Sequence, residues 1–219
     1  MSDMDPTLIK QQVAIAAEQG KDLHAMVRDI TLRALSRHRL SASEIMEVVR
    51  AVTEGVTLGL GRRAGEVKDA VRDALSGLDE ALQKTAEATK LAAQQMLAQG
   101  KEFGAQDLKP AIEELQQMEQ IFRSTITKVA TAAGGRIKEE FSAQLSHARR
   151  NGTDSGRVIA DTVTEFSQRA AASIRTGAQQ SALASHEIKQ RLSLLASGIL
   201  AGMAQVLQEK AKAGERKAP

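Results

Sequence analysis

Residues 65–97 read GEVKDAVRDALSGLDEALQKTAEATKLAAQQML, and this stretch decides the fold class. Its apolar positions repeat better every eleven residues than every seven. Eleven residues at about 100° each complete three helical turns with only about 20° left over, so the apolar stripe stays almost parallel to the helix axis. We therefore predict a long amphipathic helix whose stripe suits either a flat surface or a mildly right-handed bundle. Its surface-binding or helix-packing residues are Val67, Val71, Leu75, Leu78, Leu82 and Leu97.

The composition of the 219-residue chain supports an all-α fold with few aromatic side chains in its core. It contains four Phe, no Trp and no Tyr, so a core must come from Ala, Leu, Ile, Val and Met. Only three Pro occur, and no stretch alternates apolar and polar residues for long. The absence of Cys excludes disulfides, thiolate catalysis and Cys-ligated metals.

Two short helices are predicted at the N-terminus. Asp5 followed by Pro6 is a favourable start, because Asp caps free amides and Pro fits the first turn, and Gly20 is a natural stop. A second amphipathic pattern runs from Asp22 to His38. Helices this short are marginal alone, so we expect both to pack on the rest of the chain.

A third helix begins at Ser41, which forms a capping box with Glu44. This helix then meets four glycines within eleven residues, each of which costs about 1 kcal/mol relative to Ala inside a helix. Either the helix bends or breaks there, or another backbone comes very close. We favour a bend or a short break at these glycines, which are Gly55, Gly59, Gly61 and Gly65.

The expected architecture is an elongated bundle of long amphipathic helices, preceded by the two short ones. Three long segments cover about 41–99, 107–150 and 156–212, and whether the double glycine at 134–135 breaks the second stays open. The predicted organisation is residues 1–40 for the short helices, 41–212 for the bundle and 213–219 for a disordered basic tail.

The most unusual segment is the uncharged run LSLLASGILAGMAQVLQ, residues 192–208, which basic residues flank on both sides. Its 17 residues span about 26 Å as a helix, short of the ~30 Å hydrocarbon core of a bilayer. This length favours an interfacial or shallowly inserted helix over a transmembrane one, and the alternative is a helix buried by its neighbours. The residues predicted to contact a surface or another helix are Leu192, Leu195, Ile199, Leu200, Met203, Val206 and Leu207.

Within this run Gly198 and Gly202 are four residues apart. Small residues at this spacing let two helix backbones approach closely, so here we predict close helix packing rather than a hinge.

The charge is unevenly distributed along the chain. Residues 167–219 carry eight basic and three acidic side chains, which makes this segment +5 in a chain of net charge +3. Such a segment favours anionic partners. Nucleic acid is a disfavoured partner, because the chain lacks an aromatic platform on which bases stack.

No pattern predicts a reaction centre. None of the four His follows a Glu by three residues, which is the spacing of helical di-iron sites. Asp154, Ser155 and Gly156 resemble a fragment of a serine-protease loop, but helical surroundings favour turn chemistry instead. We predict a non-enzymatic protein with no catalytic residue, no cofactor and no metal.

Two stretches carry a resemblance to a known family. GEVKDAVRDALSGLDEALQKTAEATKLAAQQ, residues 65–95, and FSQRAAASIRTGAQQSALA, residues 166–184, resemble the phasins, bacterial proteins that coat polyhydroxyalkanoate granules. The eleven-residue stripe also looks like the lipid-surface helices of apolipoproteins and perilipins. The resemblance covers about half of the chain and implies association with a granule or lipid surface.

The function expected from these patterns is non-catalytic association with a lipid, membrane or polyhydroxyalkanoate granule surface. The alternative is a homo-oligomeric scaffold or adaptor that does not bind lipid. The N-terminal MSDMDPTLIKQQ is acidic and polar rather than basic and then apolar, so a cytoplasmic location is expected, peripheral if a surface is bound.

Overall fold

A computed structural model describes most of the chain, and every element in the described part is an α-helix. The described residues are 5–20, 22–37, 40–63, 67–99, 108–175 and 185–215. The eight helices are α1 Pro6–Gln19, α2 Leu23–Ser36, α3 Ala42–Arg62, α4 Lys68–Gln99, α5 Lys109–Ala132, α6 Gly135–Asn151, α7 Asp154–Arg175 and α8 Ser185–Glu215. The all-α prediction is confirmed. With 32 residues, α4 is about 48 Å long, so the bundle is elongated.

The two short N-terminal helices form where the sequence predicts them. The carboxylate of Asp5 accepts a hydrogen bond of 2.8 Å from the Thr7 amide, and Pro6 occupies the first turn. Gly20 ends α1 in the left-handed conformation, with φ 68°. Helix α2 ends at Ser36, and the predicted end at His38 lies outside the described residues.

The capping box at the start of α3 is also present. The Ser41 hydroxyl accepts from the Glu44 amide at 3.4 Å, and the Glu44 carboxylate accepts from the Ser41 amide at 3.3 Å. These bonds satisfy two donors that a helix N-terminus otherwise leaves unpaired.

Each of the three long predicted segments is divided. The first ends its helix at Arg62 and resumes at Lys68, so the predicted break exists but follows most of the glycines. In the second segment one helix ends at Ala132 and the next begins at Gly135, so the two glycines at 134–135 do break the helix. In the third, α8 continues to Glu215, three residues into the predicted tail. Gly65, residues 176–184 and residues 216–219 lie outside the described residues.

Two of the glycines predicted to form a hinge instead form a close helix contact. A Cβ on Gly55 would lie 2.6 Å from the Lys10 carbonyl oxygen, and one on Gly59 would lie 2.2 Å from the Ala14 carbonyl oxygen. Both glycines lie inside α3, with α1 against them. For Gly55 and Gly59 the hinge prediction was therefore wrong, because the missing side chains make room for a neighbouring backbone. By contrast, a Cβ on Gly61 would meet nothing within 4 Å.

Helices α1 and α3 run parallel, and two ion pairs at successive levels show their register. Lys10 Nζ lies 3.0 Å from Glu54 Oε2, and Arg62 Nη1 lies 3.9 Å from Glu18 Oε2. The pair α2 and α4 has its own close contact, since a Cβ on Gly77 would lie 2.2 Å from the His24 carbonyl oxygen. The α1–α2 pair thus packs along α3 and α4, with α1 on α3 and α2 on α4.

One hydrophobic core includes residues from all eight helices, so the N-terminal pair shares the core of the long helices. Ala is the commonest residue in it, and α4 lies at its centre, packed against α2, α7 and α8. Helix α5 packs against α3, α6 and α7. An Ala-rich core buries little surface per residue, so it requires the short distances between helices that glycine permits.

The close contact between α1 and α3 yields a prediction on stability. Gly59→Ala places a methyl group against the Ala14 carbonyl, so we expect it to lower the free energy of unfolding by about 1–3 kcal/mol. The matched variant Gly61→Ala enters open space two residues along the same helix and should raise it by about 0.5–1 kcal/mol. Urea unfolding followed by circular dichroism measures both values. Equal effects of the two substitutions would contradict the proposed contact.

Candidate functional site

The eleven-residue stripe of α4 lies inside the bundle. Val71, Leu78 and Leu82 are at most 1% exposed, and Val67 is buried as well. Leu75 and Leu97 are partly buried and pack against the same core. In the folded chain the stripe therefore holds helices together and is not an outer surface.

Helix α8 differs from α4, because other helices cover only one of its faces. Leu192, Ala196, Leu200 and Ala204 are buried on the inner face, which packs against α2 and α4. The Ser197 hydroxyl donates a 2.8 Å hydrogen bond to the Ser36 carbonyl at the end of α2. These contacts hold α8 lengthwise on the bundle.

The outer face of α8 is apolar and uncovered. We define this outer face as Leu194, Gly198, Ala201, Gly202 and Val206, all of which are exposed. Leu194 is 61% exposed and Val206 is 50% exposed. They are twelve residues apart and lie about 120° apart around the helix axis, so they lie near the two edges of this face. Four further apolar side chains are half-buried beside it: Leu195, Ile199, Met203 and Leu207.

The glycines of α8 lie on this outer face and contact no other helix. A Cβ on Gly198 or Gly202 would meet nothing within 4 Å. Within the described residues no helix packs closely at these two glycines, so the predicted close packing stays a prediction that concerns contact with another chain. The pair in α3 forms the internal contact, while the pair in α8 leaves a smooth, exposed surface.

Helix α8 also combines length with apolar character. Within the described residues, Glu187–Glu209 is the one candidate membrane span, with a mean hydropathy of 1.2, and 28% of that window is buried. A core helix of the same composition would be mostly buried. Helix α8 therefore packs on the bundle through its inner face and exposes an apolar outer face to solvent.

The N-terminal end of α8 is attached to α5 through charges. Lys189 Nζ lies 3.3 Å from Glu113 Oε2. The neighbouring Glu114 has a pKa raised to about 7, chiefly because it is buried, while Lys189 opposes this shift and Glu113 adds to it. Glu114 therefore changes its charge near neutral pH at the contact between the two helices.

The segment Asp154–Gly156 has a structural role, as the turn chemistry predicted for it implies. It begins α7, and the carboxylate of Asp79 in α4 caps this helix by accepting from the Asp154 amide at 2.9 Å and from the Ser155 amide at 3.4 Å. The Ser155 hydroxyl donates to the same carboxylate. Burial raises the pKa of Asp79, and these hydrogen bonds counteract the rise. The Asp79 carboxylate thus accepts from two backbone amides and one hydroxyl of the same turn, and this contact fixes the start of α7 on α4.

The described histidines do not form a metal centre. His24 Nε2 lies 3.3 Å from Glu80 Oε2, and the His147 ring contacts the Asn151 amide at 3.0 Å. In the part of the chain that the structure describes, no three His, Asp or Glu side chains are grouped so that they could hold a metal ion.

One concave feature was not found from the sequence. A groove between α3 and α5, reached at one end by Lys10 of α1, has a volume of about 730 Å³. Its polar residues include Arg50 and Glu54, which are separated by four positions in α3 and form an ion pair within that helix. The sequence around these two residues gives no indication that α5 lies beside them in the fold.

A comparison with protein families matches residues 2–209 to a family of unknown function, DUF6781. The chain belongs to this family. The match includes the exposed helix α8 almost to its end and all seven helices before it. No curated protein and no solved structure matches the chain.

The buried carboxyl group between α5 and α8 yields a prediction on pH. The pKa of Glu114 in the folded chain is about 7, above its ordinary 4.5, so the folded chain binds more protons than the unfolded chain between these values. Stability should therefore fall as the pH rises from about 5 through 7, and Glu114→Gln should flatten this slope.

Unfolding by urea at pH values between 5 and 8 measures this dependence. Glu139→Gln, at an exposed position of α6, is the matched control and should leave the slope unchanged. A slope that persists in Glu114→Gln would show that another group is responsible.

Proposed function

We propose that this protein binds reversibly to the surface of an anionic phospholipid membrane through the outer face of α8, without catalysing a reaction. The observation that carries the proposal is the uncovered apolar side of an otherwise docked helix, with Leu194 61% and Val206 50% exposed. A helix with one covered face and one apolar exposed face matches the geometry of an interfacial helix, which lies in the plane of the membrane.

The flanking charges favour an anionic surface over a neutral one. Lys189, which pairs with Glu113, and Arg191 precede the uncharged run, and Lys210 and Lys212 follow it. With Glu187 and Glu209 beside them, these flanks carry a net charge of +2. Each basic residue near an anionic membrane contributes about 1 kcal/mol, and long basic side chains reach the head groups while the helix lies deeper. A storage granule offers the same apolar contact, but the positive flanks match a negatively charged surface specifically.

The apolar side chains of the outer face by themselves contribute little to the free energy of membrane binding. Full burial of one Leu or Val side chain contributes about 1.5–3 kcal/mol, so two half-exposed side chains supply about 2 kcal/mol together. This is comparable with the electrostatic contribution of two or three basic residues. Binding should therefore be weak, require both contributions and decrease with salt.

Co-sedimentation with vesicles tests this proposal. Vesicles that contain phosphatidylserine should retain the protein more strongly than pure phosphatidylcholine vesicles, and 0.5 M salt should release it. Leu194→Asp places a charge on the outer face and should reduce the partition coefficient about tenfold or more, because the carboxylate would have to leave water.

Leu8→Asp is the matched control, since Leu8 is 45% exposed but lies on α1, which packs against α3 and α2. It should leave binding unchanged. No retention by anionic vesicles, or equal losses in the two variants, would sink the proposal.

The alternative function, a homo-oligomeric scaffold, rests on one specific observation. Gly198 and Gly202 are exposed four residues apart, and this is the spacing at which two helices approach closely. A second copy of the chain could then cover the same outer face, with no lipid involved.

A pair of substitutions separates membrane binding from self-association. A Cβ at position 198 or 202 meets no atom of the described residues within 4 Å, and Leu favours a helix more than Gly does, so Gly198→Leu and Gly202→Leu should fold at least as stably as the parent. Each adds apolar surface to the outer face, so vesicle partition should rise up to about tenfold. If instead a helix pair forms there, the larger side chains should abolish an oligomer seen by light scattering. An oligomer lost without any gain in vesicle binding would favour the scaffold.

A further inference from the structure

The groove between α3 and α5 is a second uncovered apolar region, separate from α8. Its volume of about 730 Å³ lies within the range of about 300–1,000 Å³ that is usual for small-molecule sites. Met46 and Leu58 of α3 line it and are 44% and 37% exposed, although both are large and apolar. They are twelve residues apart, or about 18 Å along the helix, so the groove suits an extended chain better than a compact ring.

The opposite wall, formed by α5, contains a threonine whose hydroxyl oxygen stays accessible from the groove. Thr125 lines the groove and is only 6% exposed. Every other buried threonine of the described residues donates to the carbonyl four residues earlier in its own helix, at distances of 2.7–3.0 Å. The Thr125 hydroxyl makes no such bond to the described residues. This hydroxyl is therefore free to donate to or accept from a ligand atom in the groove, which would replace a bond to water.

The charges around the groove favour a negative group. Glu54 accepts hydrogen bonds from Arg50 at 2.8 Å and Lys10 at 3.0 Å, and the bond from Arg50 is the main cause of its lowered pKa. Glu54 is therefore ionised at neutral pH, and the three side chains together carry +1. Lys128 on α5 forms no ion pair with the described residues, and exposed Glu47 offsets one charge, so the lining retains a net charge of +1.

Lys128 follows Thr125 by three residues, which places both side chains on the same face of α5. An ammonium and a hydroxyl donor therefore stand together on the wall of an apolar groove. Two adjacent donors are the arrangement that a carboxylate, with its two acceptor oxygens, can satisfy at once.

We propose that this groove binds one molecule of a long-chain amphiphile with a carboxylate head, such as a fatty acid. The carboxylate accepts hydrogen bonds from the Thr125 hydroxyl and the Lys128 ammonium. The hydrocarbon chain lies against Met46, Leu58 and Val129. The site shares no residue with α8, so it does not depend on membrane binding.

Isothermal titration calorimetry of the full chain with laurate, below its micelle concentration, tests the proposal. We expect saturable binding of one molecule per chain, and about tenfold weaker binding in Thr125→Val and in Lys128→Met. Lys138→Met, on an exposed position of α6 outside the groove, is the matched control and should bind like the parent. Because Val keeps the shape of Thr and the Thr125 hydroxyl makes no bond to the described residues, the thermal midpoint of Thr125→Val should stay close to that of the parent.

A further variant tests the location of the ligand. Ala132 is exposed and lines the groove, so Ala132→Phe fills the space from the surface and should abolish laurate binding while leaving the core intact. Leu194→Asp should leave laurate binding unchanged. Loss of binding in Leu194→Asp but not in Ala132→Phe would place laurate on α8 and overturn the proposal. So would equal affinity for dodecyltrimethylammonium, which has the same chain and a positive head.

Discussion

The fold depends on close contact between helix backbones. A core dominated by Ala, with no Trp or Tyr, gains little from each side chain, so its helices must approach closely to make enough van der Waals contacts. Gly55 and Gly59 permit this approach between α1 and α3, and Gly77 permits it between α2 and α4. These three positions bind the short N-terminal helices to the long ones, and the same packing draws the apolar stripe of α4 into the interior.

Because the core takes up the stripe of α4, the apolar surface left outside is limited and localised. The inner face of α8 makes the contacts with α2 and α4, and the outer face points away from both helices and stays uncovered. The groove remains open because Lys10, Arg50 and Glu54 form an ion-paired cluster at its edge, where apolar side chains would otherwise close the gap between α3 and α5. The two surfaces differ in shape, one convex and one concave. They therefore suit a flat membrane and a single extended molecule respectively.

The match to DUF6781 covers residues 2–209, so the N-terminal pair, the groove and most of α8 all lie within the matched region. The proposed membrane contact and the proposed amphiphile site therefore lie on the same folded body, within one hydrophobic core. A protein that holds an amphiphile in a groove and lies on a membrane would need no catalytic group for either task. Both are binding functions set by shape, apolar surface and charge.

The features that depend on neighbours in the chain could be read from the sequence. Asp5 with Pro6, and Ser41 with Glu44, begin helices because their bonds reach only two or three residues along the chain. The helical period of 65–97 and the uncharged run at 192–208 likewise follow from spacing and composition alone.

The two glycine pairs could not be distinguished in this way, because Gly55 with Gly59 and Gly198 with Gly202 have identical spacing. Only the tertiary structure decides that α1 lies against the first pair and that no described residue lies against a Cβ at the second. The same holds for the groove, since its two walls are about 70 residues apart in sequence and meet only when α3 packs on α5.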